Sequence, residues 1–402
     1  MSAGWGWVDF STEDRNRISS IMSLLKDQGI LDELGISVLR DAISNKLFPG
    51  LSTIQTRAKY FLFTPVIVRK YYHDQQGLSL PEYFSKNESE FIQETVIGSA
   101  NENGIFGSTL TDAKNLQRKP SSIYWNGQRT LGIIKLRQKN VFLSQYLRMN
   151  SLDIDNSLKT TDDSFDGNIE NNTGIFLPNT IIRDFEPSDI MLTKEEAAYL
   201  RNAFIETLKE SEPDSLLYAF LTDEELLLKL TEQNTDFYNF YDEFCLSNDY
   251  QGTLLKQYMD LAYYFSEVMY GAHLLYNVII QKKANTPDNP YSKEWNEWKS
   301  NISSVLDKLD MVLLKELVEN DPHNSIKFLD NWVENIKSNN QKSLEELVIE
   351  QEFKCKKERA RLKRINLPPE ECQNWIGMRR MNYRIYQTRV ICSDLYKGGA
   401  YA

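Results

Sequence analysis

The chain carries three histidines, His73, His273 and His323, and four cysteines, Cys245, Cys355, Cys372 and Cys392. No histidine pair has the helical spacing of an HExxH site, and no cysteine pair has CxxC spacing. These residues predict no metal site, and the cysteines read as free thiols of a reducing compartment. His273 lies in a long apolar stretch and is expected to be a hydrogen-bonded core residue. There is no GxSxG elbow, no GxGxxG after a strand and no Gly-rich run ending in Lys-Ser/Thr, so no cofactor or nucleotide loop is expected. A triad of Ser or Cys with His and an acid stays open, because such a triad is spatial rather than sequential. Pro213-Asp214 with Glu225 and Lys229 is the nearest approach to a nuclease core. Its acid and lysine stand four apart, the spacing of an ordinary helical ion pair.

The distribution of charge says more. Between residues 110 and 150 lie Lys114, Arg118, Lys119, Arg129, Lys135, Arg137, Lys139 and Arg148 against Asp112, a net of +7. Residues 351–402 hold five Lys and seven Arg against five acids, again +7. The whole chain is −11, so the remainder carries −25. That balance excludes a protein basic over its whole surface but leaves strong local fields. Tyr124, Trp125 and Phe142 are interleaved with the first basic stretch, and Trp375, Tyr383 and Tyr386 with the second. Arg beside aromatics suits phosphate contact and base stacking. The same charges would also be satisfied by packing against the acidic half, or by standing as solvated faces. On this reading the candidate nucleic-acid or partner-binding residues are Arg57, Lys59, Arg118, Lys119, Tyr124, Trp125, Arg129, Arg137, Arg379, Arg380 and Arg384.

The elements that must position these residues are helical. Gly and Pro, 18 and 12 of 402 residues, fall below their usual shares of about 7% and 5%, which favours long helices over many short strands. Apolar periodicity and stop signals predict helices over 11–29 and over the Ile36, Leu39, Ile43, Leu47 face, the latter ended by Pro49-Gly50. A third begins near Ser52 or Thr53 and should kink or end at Thr64-Pro65; its YFLFTPVIV run reads as a buried core flanked by Arg57, Lys59, Arg69 and Lys70. Ser79, Pro81 and Glu82 open a fourth. One or two short helices, with a turn at Lys119-Pro120, cover 110–150. Thr193–Glu196 and Thr222–Glu225 match the capping box. The longest helix is expected over 253–283, with others near 292–319, 322–338 and 343–363.

Residues 151–180 hold six carboxylates and one lysine, with little apolar period. Such composition is poor at offsetting its ordering entropy. The prediction is all-α: a helical domain over 1–150, an acidic linker or mobile loop over 151–180, and a helical domain with a basic tail over 181–402. No apolar stretch approaches the ~18 residues of a membrane span. The opening MSAGWGWVDFSTED has no secretory pattern, so a cytoplasmic protein is expected.

Particular strings resemble an uncharacterised bacterial family of unknown function. Gly6–Ser11 (GWVDFS), Asp32-Glu33-Leu34-Gly35, Arg40-Asp41 and Leu47-Phe48-Pro49-Gly50 with Ser52–Phe63 (STIQTRAKYFLF) form its first block. Pro120–Gly127, Thr193–Leu200, Met269–Asn277 and Lys357–Leu362 with Tyr383-Arg384 are similar to later ones. The resemblance carries no reaction. It implies a bacterial protein encoded near helicases, nucleases and DNA methyltransferases of anti-phage systems. The expected function is therefore a non-catalytic component of a defence assembly, contacting DNA, RNA or a DNA-processing protein, with no membrane association. One rival is an enzyme, which would need Arg57, Tyr60, Tyr124, Arg129 and His273 to converge in a pocket. The other is a scaffold without nucleic-acid contact.

Overall fold

A computed structural model describes residues 32–74, 77–110, 116–136, 138, 140–152, 169–232, 236–246, 249–286, 289–364, 367–368, 372 and 374–400. The GWVDFS block and the expected helix over 11–29 lie outside the described residues. The fold is all-α, as the composition requires. Its helices are α1 (Ser37–Leu47), α2 (Phe63–Asp74), α3 (Leu80–Gly98), α4 (Pro120–Thr130), α5 (Leu143–Leu152), α6 (Asn179–Asp184), α7 (Lys194–Ser211), α8 (Leu216–Thr222), α9 (Glu224–Glu232) and α10 (Phe237–Leu246). They continue with α11 (Leu254–Lys283), α12 (Ser292–Asn301), α13 (Ser303–Leu306), α14 (Met311–Leu317), α15 (Ser325–Lys337), α16 (Gln341–Lys356) and α17 (Ile385–Ala400). Among the described residues the extended pairing amounts to one isolated antiparallel bridge, Ile134 with Ile175.

Two compact units divide the chain. One comprises Ser44–Lys256 and Arg384–Ala402, the other Met1–Ile43 and Gln257–Tyr383. In the first, α2, α3 and α5 pack together, and α17 lies along α7. That approach is close: a Cβ on Gly398 would stand 2.8 Å from the Cβ of Ala197. In the second, α11 presents Met259, Leu261, Ala262, Phe265, Val268 and Met269 to the interior, and α15 packs on α16.

Several helix ends depart from the sequence reading for local reasons. Pro65 does not end a helix. It sits in the first turn of α2, where a missing N–H costs nothing, and a short 3-10 helix, Ala58–Leu62, precedes it. At Thr222 the capping box does not form. Thr222 is the last residue of α8 and its hydroxyl donates back to the Tyr218 carbonyl, so Asp223 caps α9 by accepting from the Leu226 N–H at 3.0 Å. The expected 292–319 helix is three pieces, the last restarted by Asp310, which accepts from the N–H groups of Val312 and Leu313. Lys357, at φ +53°, stops α16. The Thr193–Glu196 box does form: Thr193 N–H donates to the Glu196 carboxylate at 2.9 Å and Glu196 N–H to the Thr193 hydroxyl at 3.3 Å. Glu225 and Lys229 make the expected i,i+4 pair, 2.9 Å apart.

Of the segment 151–180, the stretch 153–168 lies outside the described residues. From 169 onward the chain is built into the first unit. Ile169, Thr173, Ile175 and Leu177 are buried, Arg69 donates to Glu170 and to the Ile175 carbonyl, both at 3.2 Å, and Gly174, at φ +70°, exchanges a backbone bond with Lys135.

Candidate functional site

The STIQTRAKYFLF block is interior. Arg57 is 6% and Lys59 1% exposed. Arg57 is extended (φ −143°, ψ 148°) and opens the 3-10 turn, which aims its guanidinium at α17. Its Nε donates to both oxygens of Asp394, at 2.9 and 3.2 Å, and the Ala58 N–H reaches the same carboxylate at 2.9 Å. Burial opposes the Arg57 charge, yet the hydrogen bond and charge of Asp394, with Glu102 beyond, hold its pKa above the ordinary value. Lys59 donates to Glu196 at 2.7 Å and to the Met191 carbonyl at 3.3 Å, with its ammonium over the Phe185 ring. Tyr124, fully buried on α4, accepts from the N–H groups of Thr56 and Arg57 and donates to the Arg57 carbonyl. Tyr60 accepts from the Phe106 N–H, and burial pushes its phenol up to about 12.

Arg57, Lys59, Tyr124 and Trp125 are therefore interior residues, and Arg57 and Lys59 tie elements of the fold together rather than presenting their charge on a surface. Trp125 is 7% exposed and its indole N–H is spent on the Val141 carbonyl at 2.8 Å. Arg57, Tyr60 and Tyr124 do come together, but as a staple with every polar group committed to internal partners. Arg129 is not among their contacts, and His273 belongs to the other compact unit.

Arg129 instead lines a cleft of about 650 Å³ between the end of α4, the following turn and α7. Lys135 stands with it on one wall, and Glu206 and Glu210, one turn apart on α7, on the other; Asn126, Thr130 and Thr207 add neutral polar groups. The guanidinium of Arg129 is 5.9 Å from the Trp125 ring and donates to the Val141 and Gln138 carbonyls. Arg118 is exposed, and Lys119 is half-buried, its ammonium donating to the Ser89 hydroxyl at 2.9 Å. Arg137 lies outside the described residues. Arg384 is half-buried and donates to the Phe48 carbonyl.

In the second unit the basic tail builds a layered column. Arg379 lies over Trp375 at 4.9 Å, Trp375 stacks on Tyr270 at 5.6 Å and 13°, and Arg380 lies over the Tyr270 ring at 4.3 Å. Arg380 is tied to Glu267 at 2.6 Å, and the Tyr270 hydroxyl donates to Glu294. A cleft of about 320 Å³ borders this end, lined by Glu267, Glu294, Glu297 and Trp298 among others.

The remaining motifs of the first and last blocks are structural in this unit. Asp32 accepts from the N–H groups of Ile36 and Ser37, both at 2.9 Å. Glu33, 2% exposed, pairs with Arg361 at 3.0 Å and Lys356 at 3.5 Å. Gly35 sits at φ +69°, where a Cβ would lie 2.6 Å from the Cys355 sulfur. A second turn repeats the device: Asp321 accepts from Ser325 and Ile326 N–H, and Asn324 takes the left-handed position at φ +52°.

His273 is fully buried, as its apolar surroundings predict. Its Nδ1 faces the Met269 carbonyl at 3.1 Å, while Nε2 has no hydrogen-bond partner. Burial, partly countered by that carbonyl and by Asp32 and Glu33, lowers its pKa from 6.5. The folded protein thus holds the ring neutral while the unfolded chain takes up a proton below about pH 6.5. Stability is expected to fall as pH drops from 6.5 toward the depressed folded value. Urea unfolding of wild type and His273→Leu at pH 7.0 and 5.5 checks this: the variant should lose less stability across the interval. Equal losses would remove His273 from the acid response.

All four cysteines are free thiols. Burial pushes the Cys355 thiol up to about 11 and the Cys392 thiol to about 12, the opposite of what a nucleophile needs. Among the described residues no group of three His, Cys, Asp or Glu side chains is placed to hold a metal, and no helix is long and apolar enough to cross a membrane. Sequence reasoning missed Asp394, Glu102, Glu352 and the Trp375–Tyr270 stack. Their partners stand tens to hundreds of positions away, and of these only the aromatic content of the tail gave any signal.

Neither the curated proteins nor the solved structures hold a match to this chain. One family model does match, over residues 2–311, and it spans the STIQTRAKYFLF block, α4 and the whole of α11. The chain belongs to the family of unknown function DUF6361.

Proposed function

We propose that this protein is a non-catalytic interaction component whose 118–148 face contacts a phosphate backbone. The supporting observation is electrostatic. Arg118, Lys119, Arg129, Lys135 and Arg148 form no ion pair with any acid among the described residues. In the other basic stretch, Lys356 and Arg361 are matched by Glu33, and Arg380 by Glu267. The first stretch thus keeps a field available to an external anion, whereas the second is partly compensated within its own unit. In this reading the protein works in the bacterial cytoplasm beside a helicase, nuclease or methyltransferase of an anti-phage assembly, a setting drawn from the neighbourhood of related genes.

Phosphate contact releases counterions, so affinity should fall steeply with salt, by about 0.9 in log–log slope per phosphate neutralised. Arg118→Glu with Arg148→Glu should weaken binding of unrelated duplexes about equally and flatten the slope by about two. Both side chains are exposed, so the fold should be unchanged. A salt series of duplex DNA and RNA isotherms makes the measurement. Absence of binding by wild type at low salt would end the phosphate reading.

A further inference from the structure

The Arg380–Tyr270–Trp375–Arg379 column ends unevenly. At one end Arg380, itself exposed, is tied to Glu267 through two bonds, at 2.6 and 3.3 Å, and Tyr270 is 4% exposed. At the other end is Arg379, an exposed residue that makes no hydrogen bond and no ion pair among the described residues. Trp375 is itself fixed: its indole N–H donates to the Gly377 carbonyl at 3.1 Å, and Tyr291 abuts it edge-on at 5.5 Å and 82°. The ring is thus a fixed support beneath an exposed guanidinium.

We propose that Arg379, held on Trp375, is a stacking platform for an unpaired base of single-stranded nucleic acid. A guanidinium plane accepts a base on its face while its edges donate to the adjoining phosphate, a combination that suits splayed bases and not a closed duplex. Glu267 does not oppose this, since it is neutralised by Arg380, and Glu294 is engaged by the Tyr270 hydroxyl rather than by Arg379. The platform rests on the reading that the protein contacts nucleic acid and adds to it a preference for exposed bases.

The test compares a twelve-residue oligothymidylate with an abasic oligomer of the same phosphate count, at one low salt concentration, against the full chain. Wild type should bind the oligothymidylate about tenfold more tightly, the scale of one stacked base. Arg379→Lys keeps the charge and removes the plane, so it should bring that ratio close to one, chiefly through loss of oligothymidylate affinity. Trp375→Ala, which removes the support, should do the same. Urea midpoints of both variants check folding, and an unchanged midpoint for Arg379→Lys keeps the test valid if Trp375→Ala unfolds. Equal binding of both oligomers by wild type, or an undiminished ratio in Arg379→Lys, overturns the platform alone. Failure of wild type to bind either oligomer overturns both the platform and the phosphate reading.

Discussion

Lys59→Met is expected to destabilise the folded protein by about 3–5 kcal/mol, because it leaves the Glu196 carboxylate buried without its counterion. Both side chains of this pair are at most 3% exposed and stand 2.7 Å apart. Attraction in such a place offsets a large desolvation cost, and removing one member keeps the cost while losing the attraction. The second substitution should therefore repair the first. Lys59→Met with Glu196→Gln takes the charge away from both sides while the amide oxygen can still accept from the Thr193 N–H of the capping box. That double variant is expected to recover more than half of the loss. Urea unfolding of the two single variants and the double closes the cycle. A Lys59→Met cost below about 1 kcal/mol, the size of an exposed pair, would mean that water reaches the site.

Glu352→Ala should be comparably damaging in the other compact unit. Glu352 is fully buried and accepts three hydrogen bonds: from the Tyr276 hydroxyl at 2.7 Å, from the Arg361 N–H at 2.9 Å and from the Leu362 N–H at 2.8 Å. Those backbone groups follow the 3-10 turn Lys357–Arg359, so one carboxylate holds the chain as it leaves α16. Truncation strands three donors, at about 1–3 kcal/mol for each group left unsatisfied. Allowing for water entering the space, the expected loss is about 3–5 kcal/mol in all. Glu352→Gln retains acceptor oxygen and should cost distinctly less. Hydrogen exchange of Arg361 and Leu362 gives a local readout: both amides should exchange much faster in Glu352→Ala. Protection equal to wild type would assign the holding role to other contacts.

These two sites also explain why several charged residues of the quoted strings are spent inside the fold. Arg57, Lys59 and Tyr124 serve the 3-10 turn ahead of α2 and its junctions with α17 and α7. Asp32, Glu33 and Gly35 serve the turn ahead of α1 and its tie to α16. A buried charge is intolerant of substitution for energetic reasons, so a motif can be specific and still perform no chemistry.

By itself the sequence determined the helical class, the positions of α1, α3, α4, α7 and α11, the working Thr193 box and the burial of His273. Each follows from interactions within a few residues: apolar spacing on one helix face, a hydroxyl three residues from a carboxylate, a ring set in an apolar run. It also located the two basic stretches, since charge is additive along a chain. Tertiary structure decided which of those charges are spent. Arg57 meets Asp394 across 337 positions and Arg361 meets Glu33 across 328, and no local pattern encodes such a meeting. The same long-range packing drew residues 169–180 into a core that their composition did not suggest, and it laid Trp375 flat on Tyr270 with Arg379 on top. Side chains three or four apart on a helix are bound to be neighbours, whereas the partner of a buried ion is set by how helices pack, which is a property of the whole fold.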